Sequence, residues 1–301
     1  MPDLARVDST VLVICPASTT AIGAPKDRTG QLVGILSDLG IVGPTFKDHN
    51  LPPWLMGNKF FSNKLHKRTA LAIIDVQNDF INGSLANPRA PVILPKIYQL
   101  LDGHEWPFIV ASQDWHPPGH VSFFSSHPGK VSGDTVNETF VDTPTKTETQ
   151  TVYADHCIPE TWGAEIETGV QTRLHRLEGY RTPVNYIKKA QDHRVDSYSA
   201  FADNQYHRFT TLHAELSLHG IETLVVTGLL TNACVRGTSI DGIKLGYEVV
   251  LIEDATESTS DADKEAAIEE LESWGVQVAK LADWEEANPT GPRLRRRRAE
   301  L

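Results

Sequence analysis

The sequence is poor in cysteine and has no long apolar run. Its three cysteines, Cys15, Cys157 and Cys234, are few and odd in number, which argues against a disulfide framework and favours a reducing compartment. No segment approaches the roughly 18 consecutive apolar residues of a membrane-spanning helix, so we expect no membrane contact. The first residues also lack the basic-then-apolar layout of a secretory signal. In a chain of 301 residues that is 40% apolar, these absences predict a globular enzyme of the cytoplasm or the nucleus.

Positive charge is also scarce outside the C-terminus. The formal net charge is −11, yet residues 293–301 contain five arginines and one glutamate, which leaves −15 on residues 1–292. Because so acidic a body is unsuited to nucleic acid, we expect no specific nucleic-acid partner. The arginines follow the turn-forming residues 288–292, which predicts a disordered tail. A nuclear-import signal and a solvated tail without function both remain open.

The apolar residues alternate between a strand-like period and a helix-like period. Short runs typical of strands are Val11–Ile14, Leu71–Ile74, Phe108–Val110, Val184–Ile187, Thr223–Val226, Val249–Ile252 and Val276–Val278. Two segments are typical of helices, Asn232–Leu245 and Asp261–Trp274, the second with Ser260 or Asp261 as its N-cap. This alternation predicts an α/β fold in three layers, α/β/α, with a mostly parallel central sheet. In such a sheet the reactive groups gather at the carboxyl ends of the strands.

Two segments depart from this alternation. Residues 1–68 hold one strand-like run and many glycines, prolines and polar residues, which leaves a lid, an oligomer contact or a mobile leader as alternatives. Residues 129–150 are rich in threonine and indicate a long surface loop. We therefore expect an N-terminal extension of unknown role at 1–68, a catalytic domain at 69–282 and a tail at 283–301.

The segment from Asp114 to His120 places one carboxylate and two imidazoles after a short apolar run. On an extended backbone, Asp114 and His116 point to the same side because they are two residues apart. The turn at Pro117-Pro118-Gly119 would bring His120 back towards them. A divalent metal could take ligands from this group, although a polar loop with surface histidines fits the same pattern.

Three further segments contain reactive residues. Asp75 directly follows a buried run, where a carboxylate is costly without a cationic partner; a turn cap is the alternative. Cys234 follows a strand, Gly228 and Thr231-Asn232, with Asn232 as cap, and so falls in a first helical turn that favours a thiolate and can hold an oxyanion. It could equally be a small core residue. Either Lys188 or Lys189 could reach Asp75, and the other would be solvated.

A last segment, Tyr153 to Ile166, offers His156 as a further partner for Asp114 and His116. A single histidine is, however, more often a surface residue or a hydrogen-bonded core residue. The adjacent Cys157 fits a core position as well as a ligand position.

Together these segments resemble the isochorismatase-like cysteine hydrolases, and within that superfamily the nicotinamidases. The resemblance covers about residues 69–282 and is carried by Asp75-Val76-Gln77-Asn78-Asp79-Phe80, Asp114-Trp115-His116-Pro117-Pro118-Gly119-His120, His156-Cys157, Lys189 with Tyr198-Ser199-Ala200-Phe201, and Thr231-Asn232-Ala233-Cys234-Val235. It implies a Rossmann-like fold and hydrolysis of nicotinamide to nicotinate in NAD salvage. A small amide is then the substrate, and a homo-oligomer is possible.

The resemblance also implies roles for individual residues. Cys234 would be the nucleophile, Asp75 the acid/base and Lys189 the third catalytic member. A divalent metal, zinc by resemblance, would be held by Asp114, His116 and His156, with His120 in support. The pyridine pocket would be lined by Phe80, Tyr153 and Tyr198. The oxyanion would meet the backbone amides of Leu230 and Cys234, after a cis peptide at Leu229-Leu230.

Two positions depart from the pattern of the nicotinamidases. Tyr153-Ala154-Asp155 stands where that family usually has Trp-Pro-x, and Glu160 stands where it commonly has glycine. Both lie near the expected substrate. They leave open another amidase of the superfamily that acts on a carbamoyl or ureido compound, and a binding protein without catalysis on the same fold.

Overall fold

The structure, a computed structural model, describes residues 68–288 of the chain. No helix within this range is long and apolar enough to cross a membrane. The predicted strand at Val11–Ile14 and the arginines of the C-terminal tail lie outside the described residues.

Six strands form one sheet, and every neighbouring pair in it is parallel. In spatial order they are β5 (Val184–Lys189), β2 (Phe108–Asp114), β1 (Thr69–Ile74), β6 (Thr223–Leu229), β7 (Glu248–Glu257) and β8 (Gln277–Ala279). Within the described residues, each strand-like run of the sequence overlaps one of these strands, with only Val276 falling outside, and the predicted parallel α/β sheet is confirmed. Two strands outside this sheet, β3 (Thr135–Thr139) and β4 (Thr147–Thr151), pair antiparallel with each other.

The helices cover both faces of the sheet. They are α1 (Asn78–Ile81), α2 (Leu94–Gly103), α3 (Thr168–Gly179), α4 (Leu212–Leu218), α5 (Arg236–Lys244), α6 (Asp261–Ser273) and α7 (Leu281–Ala287). Successive residues of β1 face opposite sides, so Leu71 and Ile73 enter one apolar core while Ala70, Ala72 and Ile74 enter the other. The first core also receives residues of α2, α3 and α7, and the second receives residues of α4, α5 and α6. This is the three-layer α/β/α arrangement.

Two local predictions need correction. Residues 129–150 are not simply a loop, because they contain β3 and most of β4. The helix predicted from Asn232 starts as a π-helical turn, Thr231–Val235, before α5. Helix α7 runs to Ala287, and its Trp284 ring stacks on Trp106 with ring centres 5.6 Å apart. The predicted Ser260 cap of α6 is present and accepts a hydrogen bond from the Asp263 amide.

The topology brings reactive residues together at one edge of the sheet. Asp114 at the end of β2 is in register with Lys189 at the end of β5, and Asp75 follows the end of β1 between β2 and β6. Gly228, in β6, has a φ of 114°, and a Cβ there would lie 2.0 Å from the carbonyl oxygen of Ile74. Glycine is therefore required where β6 passes β1 just before the segment that contains Cys234.

Candidate active site

Three reactive side chains meet at the carboxyl ends of β1, β5 and β6. Lys189 Nζ lies 3.0 Å from Asp75 Oδ2 and 3.4 Å from Cys234 Sγ. All three residues are buried. The alternative lysine, Lys188, is exposed and its Nζ lies 3.5 Å from the centre of the Trp115 ring. The structure thus selects Lys189 as the lysine that reaches Asp75.

The electrostatics of this group leave a base available at neutral pH. Burial raises the pKa of Asp75 to about 6, against the opposing effect of the Lys189 ammonium. Burial raises the pKa of the Cys234 thiol well above its usual value, again opposed by Lys189. Burial disfavours the charge of Lys189, yet Asp114 and Asp75 raise its pKa. The resting group is therefore an ionised carboxylate, an ammonium and a thiol whose proton Asp75 can take as the sulfur attacks.

Ser112 of β2 and Gln77, which follows β1, hold Asp75 and Asp114 in place. Ser112 Oγ donates a hydrogen bond to Asp75 Oδ1 at 2.7 Å and accepts one from the Asp75 amide at 3.2 Å. The Gln77 side chain bonds both backbone groups of Asp114, accepting from its amide at 2.8 Å and donating to its carbonyl at 2.9 Å. The φ of Asp75 is +48°, a conformation that non-glycine residues adopt rarely and mostly where function requires it.

Cys234 lies in the turn that follows β6. The peptide bond Leu229-Leu230 is cis, as the family resemblance implies. The expected cap by Asn232 is wrong, because Leu230 occupies the N-cap position and Asn232 Oδ1 instead accepts a hydrogen bond from Ser258 Oγ at 3.1 Å. Cys234 nevertheless falls in the first helical turn after the strand. The backbone amides of Leu230 and Cys234 stay the predicted oxyanion donors.

Asp114, His116 and His156 form a buried group whose ligand atoms lie within 4.8 Å of one another. Burial and the neighbouring His116 lower the pKa of His156 to about 4, so its imidazole is neutral. His156 Nδ1 lies 2.7 Å from the carbonyl oxygen of Ala154, which leaves Nε2 for a ligand. His116 Nδ1 is buried without a hydrogen-bond partner in residues 68–288. One carboxylate and two imidazoles in this state fit a divalent metal ion.

A second group shares His116 and adds His120 and Asp196. His116 Nε2 lies 3.3 Å from Asp196 Oδ1 and 3.9 Å from Asp114 Oδ1. His120 Nδ1 is 2.8 Å from Ser122 Oγ, and its Nε2 is buried without a hydrogen-bond partner in the described part of the chain. The structure therefore places His120 beside His116 as a supporting residue or a further ligand, and it adds a carboxylate that the sequence did not suggest.

The three expected pocket aromatics surround these groups. Phe80 and Tyr153 have ring centres 5.4 Å and 6.3 Å from that of His156. Burial raises the pKa of both Tyr153 and Tyr198, and the negative charge of a Cys234 thiolate would raise both further. The arrangement can hold a flat ring between aromatic side chains and the candidate metal ligands, with its carbonyl substituent facing Cys234.

Sequence reasoning missed four residues that shape the site: Gln77, Ser112, Gln150 and Asp196. Gln77 and Ser112 each lie close after an apolar run, Leu71–Ile74 or Phe108–Val110, and a polar side chain in such a buried setting was a usable signal. Asp196 lies seven positions after Lys189 in a segment without regular structure, and Gln150 lies in the segment that was interpreted as a loop. Neither had a local pattern from which its position could be predicted.

Comparison with known proteins gives a consistent result. The isochorismatase domain family matches residues 180–285. The nicotinamidase of Escherichia coli is 34% identical over 228 residues, which cover 72% of this chain and 97% of that protein. A nicotinamidase/pyrazinamidase structure from Acinetobacter baumanii has a TM-score of 0.64 at 32% identity and covers 73% of this chain and all of that one.

A third match bears on the metal. A pyrazinamidase of Pyrococcus horikoshii, solved in complex with zinc, has a TM-score of 0.52 at 27% identity. The match covers 71% of this chain and 99% of that one.

Proposed function

The chain belongs to the isochorismatase-like hydrolases and, within them, to the nicotinamidase family, and from that premise we propose that it hydrolyses nicotinamide to nicotinate and ammonia. It is an amidohydrolase that acts on a carboxamide carbon–nitrogen bond. The observation that carries the substrate proposal is the buried Asp75–Lys189–Cys234 group beside the ligand group of Asp114, His116 and His156. The reaction would serve NAD salvage, because it returns the pyridine ring as the free acid.

Asp114, His116 and His156 would hold the divalent metal, which we propose to be zinc. When bound, the ion would anchor the pyridine ring through its nitrogen and draw electron density from the ring. Phe80, Tyr153 and Tyr198 would sandwich the ring and exclude water from it. His120 would support this group from beside His116.

Acylation would begin when Cys234 Sγ attacks the carboxamide carbon as Asp75 takes the thiol proton. Lys189 would stabilise the sulfur anion in this step, since its ammonium lies 3.4 Å from Cys234 Sγ and 3.0 Å from Asp75 Oδ2. The tetrahedral oxyanion would accept hydrogen bonds from the backbone amides of Leu230 and Cys234. Asp75 then gives its proton to the nitrogen, the carbon–nitrogen bond breaks, and ammonia leaves a thioester on Cys234.

Deacylation would use the same carboxylate. Asp75, ionised again, takes a proton from a water molecule as the water oxygen attacks the thioester carbon. The carbon–sulfur bond breaks and the proton returns to the sulfur, which releases nicotinate and restores the resting group. A pKa of Asp75 near 6 suits this double role, since it accepts and gives protons close to neutral pH.

The test is ammonia release from nicotinamide by the parent, by Cys234→Ala and by the matched control Cys157→Ala. We expect Cys234→Ala to lose at least about 10³-fold in kcat. Cys157 is the other buried free cysteine of the described residues, and within residues 68–288 its sulfur makes no hydrogen bond to Lys189, so its alanine variant should stay within about threefold of the parent. Benzamide, which lacks the ring nitrogen, should be hydrolysed far more slowly than nicotinamide.

The same assay distinguishes this proposal from the two alternative functions. Turnover of a carbamoyl or ureido compound without turnover of nicotinamide would assign the chain to the other amidases of the superfamily. Absence of turnover with every amide would favour a binding protein.

A further inference from the structure

The β3–β4 hairpin presents one polar face to the site. Side chains alternate along the two strands, so exposed threonines face solvent while Glu138 and Gln150 are buried on the other side. Gln150 stands near the end of β4, shortly before Tyr153 and His156. The hairpin lies outside the central sheet and therefore contributes to the site only through this inner face.

The side-chain amide nitrogen of Gln150 contacts two residues of the candidate site, Asp196 and Tyr198. Its Nε2 lies 3.0 Å from Asp196 Oδ2 and 3.3 Å from the Tyr198 hydroxyl, and it also donates to the carbonyl oxygen of Thr151 at 2.8 Å. Within residues 68–288, Gln150 supplies the hydrogen bond that Asp196 Oδ2 receives. The other oxygen, Oδ1, accepts from the Ser197 amide at 2.8 Å and meets His116 Nε2 at 3.3 Å.

We propose that Gln150 is a positioning residue for the hydrolysis proposed above: its amide fixes the Asp196 carboxylate against His116 and the Tyr198 ring against the substrate pocket. Asp196 is wholly buried, so without a donor its Oδ2 would gain by rotating towards another polar group. Rotation would move Oδ1 away from His116 and change the orientation of that imidazole. Residues that orient ligands in this way typically change metal affinity by about 10–100-fold when they are replaced.

The surroundings explain why this residue is an amide. Glu138 is buried close enough to Asp196 to interact with it electrostatically, and it has no hydrogen-bond partner in the described part of the chain. A glutamate in place of Gln150 would bring a third carboxyl to the same place and could not donate while ionised. Only a neutral donor of this length satisfies Asp196 without adding charge.

The experiment measures Co²⁺ binding to chelator-treated protein through the visible absorption of the bound ion. Two variants remove the donor: Gln150→Ala, and Gln150→Glu, which keeps the shape and covers the case in which the alanine variant fails to fold. The matched control is Gln205→Ala. Gln205 also binds the hairpin, through Glu148 at 2.7 Å and the Val141 amide at 2.9 Å, and within residues 68–288 it hydrogen-bonds neither Asp196 nor Tyr198.

We expect both Gln150 variants to weaken Co²⁺ binding by about tenfold or more and to change the spectrum, and to raise KM for nicotinamide more than they lower kcat. Gln205→Ala should keep Co²⁺ binding within about twofold of the parent. Equal losses in Gln150 and Gln205 variants would overturn the inference, because the hairpin and not the amide would then be responsible. Unchanged Co²⁺ binding in both Gln150 variants would overturn it as well.

Failure of the inference and failure of the proposed function give different results. A parent that binds Co²⁺ but releases no ammonia from nicotinamide removes the proposed substrate and leaves the role of Gln150 to be decided by the binding data. A parent that binds no Co²⁺ overturns the inference together with the proposed metal, whatever its activity towards nicotinamide.

Discussion

Asp75 and Glu138 are both buried carboxylates, and they differ in the charge that surrounds them. Asp75 has the Lys189 ammonium 3.0 Å away, whereas Glu138 interacts with the carboxylates of Asp196 and Glu148. Burial raises both pKa values, to about 6 for Asp75 and to about 8 for Glu138. One carboxyl group is therefore ionised at neutral pH and the other is neutral.

The difference shows how the fold separates a reactive carboxylate from a structural one. At the sheet edge, the parallel register brings Lys189 beside Asp114 and next to Asp75, so the cost of burying charge is offset by ion pairing. In the hairpin, no cation among the described residues pairs with Glu138, and protonation removes the charge instead. A base has to be ionised before it can accept a proton, so only the first arrangement suits catalysis.

Removal of the Lys189 ammonium is expected to have the largest effect on the contrast between Asp75 and Glu138. Lys189→Met leaves the carboxylates of Asp75 and Asp114 buried without their ammonium. We expect a loss of about 3–5 kcal/mol in the free energy of unfolding, measured by urea denaturation. The pKa of Asp75 should rise further, because Lys189 lowers it in the parent, and kcat should fall by at least about 10³-fold.

Lys188→Met is the matched control for this variant. Its side chain is exposed and lies over the Trp115 ring, so its loss should cost less than about 1 kcal/mol and leave kcat within about twofold. If the two variants behaved alike, the assignment of Lys189 to the Asp75 pair would be wrong.

Much of the fold could be predicted from sequence because the sheet is simple. In the sequence, strands buried on both faces appear as short continuous apolar runs, and each such run between 71 and 278 overlaps a strand. The hairpin was missed because β3 and β4 consist mostly of threonine, glutamate, glutamine and asparagine and have no apolar face.

The site could be predicted only where a residue type is rare in its local setting. Asp75 after an apolar run, His116 two residues after Asp114, and Cys234 at the start of a helix each conflict with a purely structural role. Asp196 had no such setting, because its position depends on contacts with His116 and Gln150, which are distant from it in sequence. A contact of that kind is a property of tertiary structure, and local sequence does not contain it.

The metal ligands offer another test at the same edge of the sheet, because a bound metal ion would contact Asp114, which also pairs with Lys189. We expect the parent to be isolated with close to one divalent ion per chain, zinc by our proposal. His116→Ala should reduce the bound metal by about tenfold or more, measured by elemental analysis after dialysis. The control is His219→Ala, because His219 lies beside Phe108, at the opposite end of β2 from Asp114, and this variant should retain the metal. Metal content unchanged by His116→Ala would contradict the ligand assignment.

The smallest effect on activity is expected at Glu138, where the effect on stability depends on pH. The pKa of Glu138 is about 8 in the folded chain against 4.5 for an ordinary glutamate, so between these values the native state binds a proton that the unfolded chain has lost. The free energy of unfolding of the parent should therefore fall with rising pH relative to Glu138→Gln, by up to about 1.4 kcal/mol per pH unit. The two proteins should be closest in stability near pH 4.5, and the variant should be the more stable at pH 8 in thermal denaturation.

Glu148→Gln, directly across the hairpin, should retain most of the parent's pH dependence, because burial is the largest cause of the pKa shift at Glu138. Equal pH dependence of the parent and Glu138→Gln would show that Glu138 is solvated and ionised, and the contrast with Asp75 would then disappear.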